Sequence, residues 1–199
     1  RQPEEGQEEK KVVEGYASTF NDPYVLWDDK WVTYREQISP KAFDDTDMKD
    51  VIMQYDHHGR VFARITNGTL SVQPDERGLH IEADLGGTEL GRQLYEEIRG
   101  GYTDKMSFGF TVSKDEELRT EDEDGHVDIL RTITGIEKLY DVSAVSIPAN
   151  PSTSIGAELR SRIDGVIEEV RAERLEAEKI ALERRRAEVR ARALGKDQK

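Results

Sequence analysis

Asp104-Lys105-Met106-Ser107-Phe108-Gly109-Phe110-Thr111-Val112 decides how the rest of the chain is read. Met106, Phe108, Phe110 and Val112 alternate with Ser107, Gly109 and Thr111. That is the period-two pattern of a strand with one buried face. Ser107 falls on the opposite, open face, beside a glycine that has no side chain to crowd it. A serine hydroxyl is a weak nucleophile at neutral pH and needs a neighbouring base. Most strand serines do no chemistry, so the chain must supply that base, or Ser107 is an ordinary surface serine.

Working outward, Leu79 to Leu85 alternates cleanly, with His80, Glu82 and Asp84 outward. Thr88 can cap a helix over Glu89–Arg99 that carries Leu90, Leu94 and Ile98 on one face and stops at Gly100-Gly101. After the Ser107 strand, residues 114–128 read as a very acidic loop or hairpin tip. Strands follow at Ile129–Ile133 and Ile136–Ile147, and Pro148-Ala149-Asn150-Pro151 closes the body. Earlier in the chain, Val12 to Phe20 reads as a strand and Asn21-Asp22-Pro23 as its turn. Trp27 to Ile38 is a second strand region. Ser39 as N-cap with Pro40 at the first position starts a short helix. Val51 to Tyr55 is a short apolar strand that ends in Asp56-His57-His58-Gly59. Val61–Ile65 and Gly68–Val72 follow, then a turn at Pro74–Gly78.

The chain divides into a charged lead-in at 1–11, a body at 12–155 and an extension at 156–199. Leu159, Ile163, Val166, Ile167, Val170, Leu175, Ile180 and Leu182 form a thin apolar stripe in the extension. With no proline among them, they predict a charged helix of more than about 30 residues, either a coiled-coil partner, a mostly solvated single helix, or part of both. Heptads are not clean enough to name an oligomer.

Across 199 residues, 36% are charged and 35% hydrophobic, more charge than a compact domain needs. There is no cysteine, so disulfides, thiolate metal sites and cysteine nucleophiles are excluded, and a reducing compartment fits. No run approaches the roughly 18 apolar residues of a membrane span, and no signal peptide is visible. Residues 156–199 carry 12 basic and 10 acidic side chains. The remainder carries 17 and 32, a net −15 that argues against nucleic-acid binding.

The candidate bases are His57, His58, His80 and His126. His80 lies on a polar strand face and His126 in the acidic loop. His57 and His58 stand where an apolar strand ends, a place where sites tend to be built. Asp141 is the best carboxylate to orient an imidazole. It shares a strand face with Leu139, Ser143, Val145 and Ile147, and a carboxylate there needs a partner. A structural role, satisfied by backbone N–H groups or an arginine, is the alternative. No nucleophile-elbow motif is present, so an α/β-hydrolase is not indicated.

Several stretches in order sharpen this. They are Glu14-Gly15-Tyr16-Ala17-Ser18-Thr19-Phe20, Ile38-Ser39-Pro40-Lys41-Ala42-Phe43, Met53-Gln54-Tyr55-Asp56-His57, Gly78-Leu79, Met106-Ser107-Phe108-Gly109-Phe110 and Leu139 through Pro151. Together, over roughly 12–155, they resemble the prohead (capsid maturation) serine proteases of tailed phages. The Ser107-to-Phe110 and Val142-to-Pro151 stretches are the most specific. Lys41 and Ala63 depart from glycines common in the family, both outside the proposed chemistry.

The resemblance implies an α+β, mostly β fold, an antiparallel barrel of the herpesvirus-protease type with flanking helices and the long C-terminal charged helix. It implies Ser107 as nucleophile and His57 as general base. Asp141 falls where the family has an acidic residue before Val-Ser, but the herpesvirus enzymes use a second histidine, so His80 and His126 stay open as the third member. The loop at Ala149 and Asn150 is the candidate oxyanion site. No cofactor or metal is implied. The implied activity is a serine endopeptidase that cuts the scaffold segment of the major capsid protein precursor, and itself, inside the assembling prohead in the host cytoplasm. Homo-oligomerisation through the helix or the barrel, and no nucleic acid or membrane, complete the expectation. A non-enzymatic assembly scaffold with the same fold is the rival.

Overall fold

The computed structural model describes residues 10–146 and 157–194. The polar lead-in at 1–9, Ile147, the Pro148–Pro151 closure with Ala149 and Asn150, the helix start at 156 and residues 195–199 lie outside the described residues, as does the side chain of Leu159.

One long strand organises the structure. β9, Val127–Val145, runs 19 residues and is rich in β-branched side chains, which suit a pleated surface. β8, Lys105–Glu121, lies antiparallel to it along almost its whole length. Two shorter strands line its other edge in tandem, both parallel to it. β3, Val32–Ile38, pairs with Val127–Ile133, and β4, Ile52–Tyr55, pairs with Asp141–Ala144. β2, Tyr24–Asp28, extends the sheet beyond β3, and β5, His58–Arg64, extends it beyond β4. A second sheet has the order β1-β7-β6, from Val12–Thr19, Gly78–Asp84 and Leu70–Pro74.

The two sheets share one core. Ala17, Leu70, Leu79, Ile81 and Ala83 from the smaller sheet pack with Ile38, Met53, Ile133, Leu139, Val142 and Ala144 from the larger. Phe108 joins this core, tilted against Phe43 with ring centroids 6.3 Å apart, which anchors the apolar face of β8. The fold is α+β and strand-dominated. Among the described residues its strand pairings divide into two sheets and do not close into a barrel.

Helix α1, Glu89–Arg99, starts as its cap predicts, with Thr88 Oγ1 accepting from Gly91 N–H at 2.9 Å. Leu94 is its buried apolar anchor, with Tyr95 and Ile98 partly buried beside it, whereas Leu90 faces solvent. The Ser39–Pro40 start does not become a helix. Ala42, Asp44 and Thr46 each donate a backbone N–H to the carbonyl three residues back, and the segment stays a run of turns. The acidic 114–128 segment is mostly strand: β8 continues to Glu121, and only Asp122–His126 turns.

Helix α2, Ala157–Leu194, spans 38 residues. Its proximal part buries Ile163, Ile167 and Val170 against Leu26, Val32, Tyr34, Val127 and Ile129. Farther along, Leu175, Ile180, Leu182 and Val189 are exposed. Polar contacts follow the same division. Arg162 pairs with Asp115 and Glu117, Arg119 of β8 reaches Glu169 and Glu173, and Arg174 stacks over Trp31 at 3.8 Å.

Candidate active site

The site is assembled across three adjacent strands and one turn. In the β8–β9 ladder Ser107 stands opposite Ser143, and Gly109 opposite Asp141. On the other edge of β9, Gln54 of β4 pairs with Ser143 and Ile52 with Asp141. β4 then turns into β5 through Asp56 and His57, and the Tyr55–His58 pair closes the hairpin. Asp56 and His57 have φ of 48° and 59°. Positive φ at both central residues is the signature of a type I′ turn, which matches the twist of the strands it joins. Asp and His tolerate this region better than most side chains, though glycine is its usual occupant.

Hydrogen bonds hold that turn in place. Asp56 N–H donates to Ala144 O at 3.0 Å. The Asp56 carboxylate accepts from Ser146 N–H at 2.9 Å and from the Ser146 hydroxyl. The turn carrying His57 is therefore pinned to the end of the strand carrying Asp141. His58 points elsewhere, its Nδ1–H bonded to Asp56 O.

His57 Nδ1 lies 2.7 Å from Asp141 Oδ1. An ionised carboxylate only accepts, so Nδ1 carries the proton and Nε2 of the neutral ring is left as an acceptor. Asp141 holds the His57 pKa above its ordinary 6.5, chiefly through this hydrogen bond; burial works in the opposite direction, and the charges of Asp141 and Asp56 add to the rise. Ser143 Oγ donates to the same oxygen, also at 2.7 Å. Asp141 Oδ2 lies against Gly109, where a Cβ would come within 2.2 Å of it. The β8–β9 register shifts immediately beyond, leaving Tyr140 as the extra residue of a bulge. Bulges of this kind re-aim side chains near sites.

Ser107 departs from the open-face expectation, being only 7% exposed. Asp141, Ser143 and Val145 across the ladder are buried as well, so this face of the strand pair is covered. Among the described residues, no hydrogen bond joins Ser107 to His57. Catalytic hydrogen bonds are often long in unliganded sites and tighten when substrate binds.

The other histidines are engaged elsewhere. His80 sits edge-on to the Tyr16 ring in the smaller sheet. His126, at the hairpin tip, contacts Thr33 Oγ1 and the Lys30 carbonyl, at the end of β9 remote from Asp141. Among the described residues, no group of three or more His, Asp or Glu side chains is placed to hold a metal ion. Sequence reasoning places Ser143 on the Asp141 face but gives it no role; its i, i+2 spacing on a buried face is the available signal.

A serine on the strand beside a part-buried carboxylate–imidazole pair supplies the residue types that serine hydrolases use. The sequence profile of the caudovirus prohead serine proteases matches residues 1–165, and the chain belongs to that family. A search of curated proteins returned no match, and a search of solved structures returned none either.

Proposed function

We propose that the chain is an endopeptidase in which Ser107 is the nucleophile, His57 the general base and Asp141 the residue that orients His57. The observation that carries this is the 2.7 Å bond from His57 Nδ1 to Asp141 Oδ1, on a strand whose next neighbour carries Ser107. Ser107 Oγ attacks the scissile carbonyl while its proton passes to His57 Nε2. The tetrahedral intermediate collapses as Nε2–H protonates the leaving amine. Water, deprotonated by the same nitrogen, then releases the acyl group from Ser107. Asp141 keeps the ring in the tautomer this needs and stabilises the imidazolium. The oxyanion donors are assigned to the loop at Ala149 and Asn150, from its position in the sequence after the Asp141 strand.

The substrate is the scaffold segment of the major capsid protein precursor, and the chain itself, inside the assembling prohead. Residues 12–155 form the protease unit, and 156–199 the helical extension that holds it to scaffold or capsid protein. The family membership and the charged α2 support this reading. No described helix is long and apolar enough to cross a membrane.

Co-expression with the cognate capsid precursor tests it. Intact mass should show trimmed precursor with the wild type and whole precursor with Ser107→Ala. Precursor left whole by both proteins, yet co-assembled with both, would establish the scaffold alternative.

A further inference from the structure

Ser143 is fully buried, and a buried hydroxyl must find an acceptor. It donates to Asp141 Oδ1, two residues back on the same face of β9 and the very oxygen that binds His57. The other carboxylate oxygen is wedged over Gly109. One oxygen is thus stopped by the backbone of β8 while the other is tethered from β9 itself. β9 is internal at this point, flanked by β4 and β8, so the tether sits on the most restrained strand of the site.

We propose that Ser143 is a positioning residue that sets the plane of the Asp141 carboxylate and moderates its hold on the His57 proton. Its catalytic importance rests on the Ser107–His57–Asp141 reading above. A hydroxyl donating to a carboxylate disperses the charge and competes with the imidazole N–H for it. Removing the hydroxyl therefore has two separable effects. The carboxylate becomes a stronger acceptor for His57, so the imidazole titrates higher. The carboxylate also gains freedom to rotate, so fewer encounters have Nε2 aimed at Ser107. Ser143 is no second nucleophile, being inaccessible to solvent with its proton committed to Asp141.

Among the described residues, the charged groups that act on His57 are Asp141 from β9 and Asp56 from its own turn. β8 contributes Ser107 and Gly109 to this face, and neither carries a charge. A shift of His57 on changing Ser143 therefore reports on the Asp141 carboxylate.

The test is an NMR titration of the His57 imidazole in the full chain carrying Ser107→Ala, which blocks self-cleavage. Ser143→Ala should raise the His57 pKa by roughly half a unit. Ser143→Cys, nearly isosteric and a weak donor, should shift it in the same direction by less, and Ser143→Thr, which keeps the hydroxyl, should leave it near the parent value. With Ser107 restored, Ser143→Ala should lower kcat by about 10- to 100-fold with KM little changed. An unmoved His57 titration in folded Ser143→Ala and Ser143→Cys overturns the proposal. Cleavage that persists in Ser107→Ala overturns the protease assignment instead and leaves the His57 shift intact.

Discussion

Gly109 stands directly across the β8–β9 ladder from Asp141, and a Cβ at Gly109 would lie 2.2 Å from Asp141 Oδ2. That contact is far inside van der Waals distance, so the two-residue spacing from Ser107 to Gly109 couples the proposed nucleophile to the seat of the carboxylate. Gly109→Ala should push Asp141 away from His57. A displacement near 1 Å costs about 100-fold in rate. Steady-state cleavage of a precursor peptide should show that loss with the urea midpoint changed far less.

Asp141→Asn should cost more, on the order of 10⁴-fold in kcat, because an amide neither fixes the Nδ1–H tautomer nor stabilises the imidazolium. The pH profile gives the sign. His57 must be neutral to accept a proton, and Asp141 raises its pKa above 6.5. The acidic limb of kcat/KM should therefore lie above 6.5 in the wild type and fall to lower pH in Asp141→Asn. The stability contributed by the pair follows the raised-pKa case: it is full below about pH 6.5 and is lost as pH climbs through the folded value. Thermal melts of the Ser107→Ala chain across that window, with and without Asp141→Asn, should diverge at low pH and converge at high pH.

Arg131 is buried between two carboxylates, bonding Glu36 Oε2 and Asp115 Oδ2, each at 2.7 Å. Burial already holds Glu36 above the usual carboxylate range despite this partner and the Tyr24 hydroxyl. Arg131→Leu strands Glu36 without its counter-ion, a change that costs about 3–5 kcal/mol. Urea unfolding should show the drop, and Glu36→Gln in the same chain should recover part of it.

Removing everything after residue 156 should destabilise the body, because Ile163, Ile167 and Val170 leave Tyr34 and Ile129 uncovered. Three aliphatic side chains amount to about 5–9 kcal/mol, an upper estimate counted as area removed from water. A chain ending after Arg174 should keep nearly all of the stability, since Leu175, Ile180 and Leu182 are exposed. Equal urea midpoints for the two truncations would show that the proximal half of α2 contributes nothing.

Much of this architecture is legible in the amino-acid sequence alone. Strict alternation marks β7, Thr88 marks the start of α1, and the apolar run ending at His57 marks the turn that holds it. What escapes the sequence depends on long-range pairing. β8 stays a strand through Asp115–Glu121, where its composition argues for a loop, because its backbone pairs antiparallel with Val127–Ile133 of β9. The parallel placement of β3 and β4 on one edge of β9 leaves no local signature, and it is what brings His57 to Asp141. Pro40 pre-sets the first φ of a helix, but only three-residue backbone bonds form over the turns that follow. Ser143 reads as filler between apolar residues, because nothing local tells that its hydroxyl turns back to the carboxylate on the same face.

The proposed chemistry stands or falls on Ser107 being a nucleophile activated by His57. A serine-directed fluorophosphonate, applied with the capsid precursor present and followed by peptide mapping, tests it most directly. A single adduct on Ser107 should form in the wild type, be lost in His57→Ala and be strongly slowed in Asp141→Asn. A Ser107 left unmodified in a chain that still cleaves the precursor, or an adduct that forms equally fast without His57, would contradict it.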